Sequence, residues 1–474
     1  MNRFLIPLIC LFIPLASCSR NSFEWDGTKI TKYLGKETDV VIPDGATEIG
    51  EEAFAGCESL TSVTIPQGVT EIGIGAFMGC KSLTSVTIPQ SVTTIKHGAF
   101  AGCDSLTSVT LPEGLTGIEA VAFAGCKSLT SINIPNSIQK IGRGAFTSCP
   151  ALKPGLIPSD HPSFMMDGVG LLTKDGKKII ICLSSVEEYQ IPECVEIIGE
   201  SAFEGCASLK SVVIPEGVTE IQERAFENCQ ALTYVALPNS VKEIGTRAFS
   251  YCKALQQWDL SPDHPFFKSV GAGLLTKDGK KFIACLNTAE ECRIPEGVTE
   301  IGSEAFYACG SLKSVEIPEG VTVIGKNAFC SCDSLTSIVI PQSVTKIGDD
   351  AFSICSSLTS VTIPKGVTVI GNGTFSDCSS LKTVEIPESV TAIKEFAFSD
   401  CESLVSVTIP EGVTTIEGFV FLNCKSLKSV FLPESVTEIG DQAFSNCPNL
   451  TIHAPKGSKA EEYAKENNIS FQAK

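Results

Sequence analysis

The cysteines are the residues whose type and spacing could do chemistry. Fifteen of them fall at 57, 80, 103, 126 and 149, at 206, 229 and 252, and at 309, 332, 355, 378, 401, 424 and 447. Every step is 23 residues except two, which are both 57. Three chemistries are open to such a series. Zinc binding calls for paired Cys-x-x-Cys ligands completed by cysteine or histidine, and no such pairing with His occurs. Disulfides form readily in an exported chain, and stacked repeats would bring neighbouring Cα atoms near the permitted distance. An odd, regular series nevertheless gives no cysteine a preferred partner. The constant neighbourhood of Phe, as in Phe77 and Cys80, points to the third chemistry, a small buried free thiol in every repeat. Cys182, Cys194, Cys285 and Cys330 lie off the series.

Nothing else in the sequence assembles a reaction centre. Only four histidines occur, at 97, 161, 264 and 453. His161 and His264 stand in equivalent Asp-His-Pro stretches, where they read as turn residues because no base or orienting partner recurs with them. There is no Gly-x-Ser-x-Gly nucleophile motif and no phosphate-binding glycine loop. The sequence therefore predicts no catalytic residue, no metal site and no cofactor.

The elements that carry these residues are repeats. Within one unit, Leu60, Val63, Ile65, Val69, Ile72, Ala76, Phe77 and Cys80 form the apolar set. Val63-Thr64-Ile65 alternates with β-branched residues, which predicts a short strand with Ser62 and Thr64 outward. Pro66 ends pairing because it has no N–H to donate. The corner after it reads Gln-Gly, Gln-Ser or Asn-Ser in different copies, so a positive φ is not required there. The chain then returns through a short extended piece and, by this reading, a helical turn at Gly75-Ala76-Phe77. One such unit cannot cover its own apolar face; stacking the next unit on it does.

This pattern resembles the 23-residue leucine-rich repeats of BspA-like bacterial surface proteins, the Treponema and Bacteroides type. The likeness runs from about Asp39 to Ile452. It implies a leucine-rich repeat solenoid, a curved right-handed array of about 18 coils counted at the Leu60 position, with a parallel sheet on its concave face. The ends read as caps. Asp26-Gly27 is a turn between two strands at the start, and a polar helix from about Ser458 precedes a last strand at Ile469–Phe471.

The two long steps are copies of each other. Residues 159–183 and 262–286 each stretch one coil and carry Leu-Leu-Thr-Lys-Asp-Gly-Lys-Lys, where Asp175-Gly176 and Asp278-Gly279 predict hairpins with type I′ turns. These are surface insertions that either pack down on the coil or project and shape a recognition surface through Phe164, Met165, Met166, Phe266 and Phe267. Trp258 takes an inward Val position and is expected to pack under the second hairpin. The expected order is a signal peptide (1–17), an acylated cysteine, linker and cap (18–38), a repeat block (39–155), a hairpin coil (156–191), a second block (192–259), a hairpin coil (260–294), a third block (295–452) and a final cap (453–474).

Charge and the amino terminus narrow the partners. A net charge of −18 excludes a nucleic-acid surface, which must be basic. The start, MNRFLIPLICLFIPLASC, has Arg3, an apolar run to Leu15 and the small residues Ala16 and Ser17 before Cys18. It reads as a bacterial signal peptide whose cleavage leaves Cys18 for lipid attachment, so the membrane is met through that anchor alone. On the sheet, the outward positions are mostly Ser and Thr. The departures, Tyr234, Gln257, Asp259 and Phe431, with Glu316 and Glu385, are candidate contacts for a protein or glycan ligand. The resemblance adds attachment to host extracellular-matrix proteins or to neighbouring cells as the expected use, by a monomer. A glycan-binding or structural envelope role is the alternative.

Overall fold

A computed structural model describes residues 20–183 and 186–474. The signal segment and Cys18 lie outside the described residues. The chain is a β-solenoid of about 19 turns with parallel sheets and almost no helix. Its contacts divide it into two compact units, one within residues 1–185 and the other 186–474.

Each coil is built as its side chains dictate. In the first unit, Ser62–Thr64 pairs in parallel with Asp39–Val41 and with Ser85–Thr87, so that Val40 and Val63 stand side by side. Val63 points inward and is buried, while Thr64 is exposed. After the strand, the N–H of Val69 reaches back to the carbonyl of Pro66 at 3.1 Å, closing the corner. The φ is positive at Gly45, Gly297 and Gly320 but not at Gly68, and Ser occupies the same place elsewhere. A second parallel sheet is made of two-residue strands such as Glu71–Ile72 and Thr94–Ile95, with Ile72 beside Ile95.

The return segment is not the helical turn that the sequence suggests. Two residues in it are left-handed, Gly75 (φ 58°) and Gly79 (φ 71°), and their counterparts in other coils include Glu52, Val121, Phe396 and Asn423. Positive φ at two places in six residues is incompatible with a helix. Alternate N–H groups take different partners. Ala76, Met78 and Cys80 bond within the coil, to the carbonyls of Gly73, Gly75 and Phe77. Gly75, Phe77 and Gly79 bond forward, to His97, Ala99 and Ala101 of the next coil at 2.8–2.9 Å. The turn is thus held by its neighbour as much as by itself.

The core is built on ladders of Phe rings, among them a short one of Phe203, Phe226 and Phe249 at 4.7–5.3 Å. Phe54, Phe77, Phe100, Phe123 and Phe146 stack ring on ring at 4.9–5.5 Å in the first unit. In the second, Phe282, Phe306, Phe329, Phe352, Phe375, Phe398, Phe421 and Phe444 do the same. Each stacked pair adds about 0.5–1.5 kcal/mol to the burial of its area. Beside the rings the cysteine sulfurs donate backward. Cys80 bonds the carbonyl of Phe54, Cys103 that of Phe77 and Cys378 that of Phe352, each at 3.2 Å. The thiol serves as a small apolar filler with one weak donor.

The insertions are hairpins, but with a different turn. Gly170–Thr173 pairs antiparallel with Lys178–Cys182, and Gly273–Thr276 with Lys281–Cys285. Only the glycine of each Asp-Gly pair has a positive φ, 74° at Gly176 and 73° at Gly279. A type I′ turn needs both residues there. Instead Gly279 N–H bonds the Thr276 carbonyl at 2.8 Å, and Asp278 Oδ1 accepts from the Thr276 hydroxyl and from Lys280 N–H. The Asp side chain stabilises a longer loop and stays out of the left-handed region. Phe267–Val270 adds a further antiparallel strand, and Lys281–Cys285 runs in parallel with Glu300–Ile301. The second hairpin is therefore part of the sheet of short strands. Trp258 lies under it as expected, its Nε1–H bonding the Ala272 carbonyl at 2.9 Å.

Both ends are closed. Phe23–Asp26 and Lys29–Tyr33 form a hairpin whose second strand pairs with Glu48–Ile49. At the other end Ser458 caps the helix Lys459–Glu466, and Ser470–Ala473 pairs with Thr451–Ala454.

Candidate binding face on the strand sheet

The Ser-Val-Thr strands place one side chain in and two out, so each regular coil adds two outward positions to one face. Where the pattern is regular, as at Ser85, Thr87, Ser108 and Thr110, both outward side chains are exposed hydroxyls. The threonine one residue before each strand has a different role. Thr84 and Thr107 each donate to the backbone carbonyl of the threonine one coil back, at 3.2 and 3.0 Å. Ion pairs also bridge coils, as Lys81 with Glu58 and Lys313 with Glu290, both at 2.7 Å. Exposed pairs of this kind contribute at most about 1 kcal/mol each.

In the second unit this face changes character. Glu188–Gln190, Ser211–Val213, Tyr234–Leu237 and Asp259–Leu260 lie side by side. One outward row reads Glu188, Ser211, Tyr234; the next reads Gln190, Val213, and then Ala236 beside Asp259. The Tyr234 hydroxyl donates to Asp259 Oδ2, which raises the phenol pKa. Tyr234 is 42 % exposed and Val213 57 %. The result is an apolar and aromatic spot with a carboxylate at its edge, beside Ser211 and flanked by Glu188 and Gln190. Gln257 is exposed one repeat beyond Tyr234. Val213 was not singled out from the sequence, although Ser-Val-Val in place of Ser-Val-Thr was its signal.

The other expected contacts are dispersed. Phe164 and Phe267 are 5 % and 4 % exposed. They pack beside His161 and His264, so they are core residues of the hairpins and not parts of an open surface. Met165 is exposed on the strand Phe164–Met166, and Phe266 is exposed just before the strand Phe267–Val270. Phe431 is half-buried against His453, with the Lys474 ammonium 5.0 Å over its ring. Cys18 lies outside the described residues. Both Asp-His-Pro histidines are fully buried and hold turns. His264 Nε2 lies 3.0 Å from the Pro238 carbonyl while Nδ1 accepts from the N–H groups of Phe266 and Phe267. That network requires the proton on Nε2.

Among the described residues, no three His, Cys, Asp or Glu side chains are grouped to hold a metal ion, and no helix is long and apolar enough to cross a membrane.

No curated protein matches the chain. Among solved structures, a leucine rich cell surface protein from Faecalibacterium prausnitzii is 28 % identical, over 96 % of this chain and 97 % of its own, with a TM-score of 0.38. A leucine-rich repeat protein from Bacteroides ovatus is 28 % identical over 94 % of each chain, with a TM-score of 0.34. The T. pallidum leucine rich repeat protein is 30 % identical over 46 % of this chain and 90 % of its own, with a TM-score of 0.32. The family description "BspA type Leucine rich repeat region (6 copies)" matches residues 30–153, 180–272, 278–404 and 345–470. The chain, with its coils of cysteine and phenylalanine, belongs to the BspA-type leucine-rich repeat family.

Proposed function

We propose that this chain is an exported binding protein, held to the bacterial envelope by a lipid on Cys18, that captures a macromolecule on its strand sheet and performs no catalysis. Leucine-rich repeat proteins of this family commonly bind proteins, and the adhesin-like use, on host matrix or a neighbouring cell, is the specific reading. The observation that carries it is the pairing of Tyr234 with Asp259 beside exposed Val213. A large aromatic side chain, pre-oriented by a hydrogen bond and next to an apolar neighbour, is the usual anchor of a protein interface. Elsewhere most outward positions are Ser or Thr, and the departures Glu316, Val339 and Glu385 lack an aromatic side chain.

The test is a binding screen of residues 19–474 on matched arrays of extracellular-matrix proteins and glycans. A matrix-protein hit that weakens about tenfold or more in Tyr234→Ala and in Val213→Ser, as interface anchors do, is the expected result. A hit unchanged by both substitutions removes the site, and glycan hits alone replace the adhesin reading with carbohydrate capture. In intact cells Cys18→Ala should move the protein from the membrane to the soluble fraction; retention would refute the anchor.

A further inference from the structure

The return segments bond forward, so a coil whose successor lacks one leaves its donors without acceptors. This happens at the second hairpin coil. In the coil before, Arg224, Phe226 and Asn228 give their N–H groups to the carbonyls of Thr246, Ala248 and Ser250 at 2.8–3.0 Å. The next three donors, the N–H groups of Arg247, Phe249 and Tyr251, have no protein acceptor among the described residues. Residues 262–286 supply a hairpin where the matching return segment would stand.

Beside Arg247 and Phe249 there is instead a cavity of about 400 Å³, walled on its other sides by the hairpin and by residues 302–307. That volume is in the range of small-molecule sites, about 300–1,000 Å³. Its wall carries both charges. Arg247 is paired on one side with buried Glu227, and its guanidinium lies 4.0 Å over the Tyr307 ring. Burial raises the Glu227 carboxyl and pushes the Tyr307 phenol up to about 12. Arg247 Nε and Glu304 Oε2 are buried without a hydrogen-bond partner. Phe267 and Ile283 give the cavity an apolar side. Native proteins seldom leave so many polar groups unmet in one place.

We propose that this cavity is a binding site for a free α-amino acid with an apolar side chain. The N–H groups of Arg247 and Phe249, with the Arg247 side chain, take the carboxylate, Glu304 takes the ammonium, and Phe267 and Ile283 receive the side chain. A simple organic acid meets the donors but sets its charge against Glu304, and a simple amine does the reverse. Only a zwitterion answers both. This site is separate from the strand face, and its failure leaves that face untouched.

The experiment is calorimetric titration of residues 19–474 with L-phenylalanine and L-leucine, and with phenylacetate, phenethylamine and glycyl-phenylalanine as comparison probes. Saturable one-to-one binding of an amino acid is expected, weaker by about tenfold or more for the probes lacking either charge, the size of a lost charge-assisted hydrogen bond. Glycyl-phenylalanine binding more tightly than the amino acids would assign the site to peptide ends and overturn the proposal. Ala284→Trp fills the cavity from a partly exposed position and should abolish binding. Glu304→Gln should weaken the amino acids and spare phenylacetate. No saturable binding of either amino acid up to about 10 mM, where affinities become negligible, overturns the proposal, as does binding that survives both substitutions.

Discussion

At the scale of single residues, the cysteine series was the most legible feature and its chemistry the least. Fixed spacing beside Phe was enough to place the thiols inward, and they are inward. The hydrogen bond from Cys103 to Phe77 could not be read, because its acceptor sits 26 residues back and meets the sulfur only when coils stack. Left-handed Val121, Phe396 and Phe419 were equally hidden. No local preference puts a β-branched or aromatic residue there; the forward hydrogen bonds of the turn impose it. Burial pushes the Cys103 thiol up to about 12, and only the thiolate is a good nucleophile. Iodoacetamide on the native protein, read by mass spectrometry, should therefore mark exposed Cys194 and leave Cys103 and Cys378 unmodified until denaturant is added. Rapid native labelling of the series would contradict the packed ladder.

Among the elements, the hairpins show where sequence reading stops. The duplicated Leu-Leu-Thr-Lys-Asp-Gly stretch announced two antiparallel pairs, and both exist. Whether their aromatic residues faced out depended on the buried histidine beneath, which no periodicity reveals. His264 makes this element pH-sensitive. Desolvation holds its pKa below the ordinary value of about 6.5; nearby Lys277 acts in the same sense, while the Pro238 carbonyl and Glu216 oppose it. The unfolded chain then binds a proton at higher pH than the folded one, so stability is complete above that value and falls as pH drops through it. Amide protection factors across residues 264–286, with exchange corrected for its intrinsic base catalysis, should fall between pH 7.5 and pH 5 in the native sequence. His264→Phe should be less protected at pH 7.5 but show a flatter response. Identical pH dependence in the two proteins would remove His264 as the cause.

For the whole molecule, the repeat architecture was fully legible, because 23-residue identity leaves one way to stack coils. Legibility failed where the repeat fails. The unmet donors at Arg247, Phe249 and Tyr251 follow from what the next coil omits, and a sequence motif records presence, not omission. Nearest-neighbour stacking also localises damage. Tyr463→Ala removes the buried ring that packs edge-on against Phe444 at 5.9 Å, a loss of about 3 kcal/mol or more. Hydrogen exchange should speed up in the last coil, residues 440–454, with no change around Phe306 and Phe329. A uniform loss of protection throughout the second unit would show that its coils unfold together.

The forward bonds have a further consequence for how such a chain can vary. Gly75, Phe77 and Gly79 give their N–H groups to His97, Ala99 and Ala101, and the following coil repeats the same offsets. If residues 81–103 were excised, Cys80 would run into Asp104, Phe77 would meet Ala122, and the ring of Phe123 would take the place of Phe100 on the stack. Between regular coils these backbone bonds are interchangeable, so in-frame loss of one such repeat keeps the backbone ladder and costs side-chain pairs such as Lys81 with Glu58. Length becomes a quantity that recombination can dial in steps of about 4.8 Å, the spacing of neighbouring strands, with no backbone hydrogen bond to rebuild.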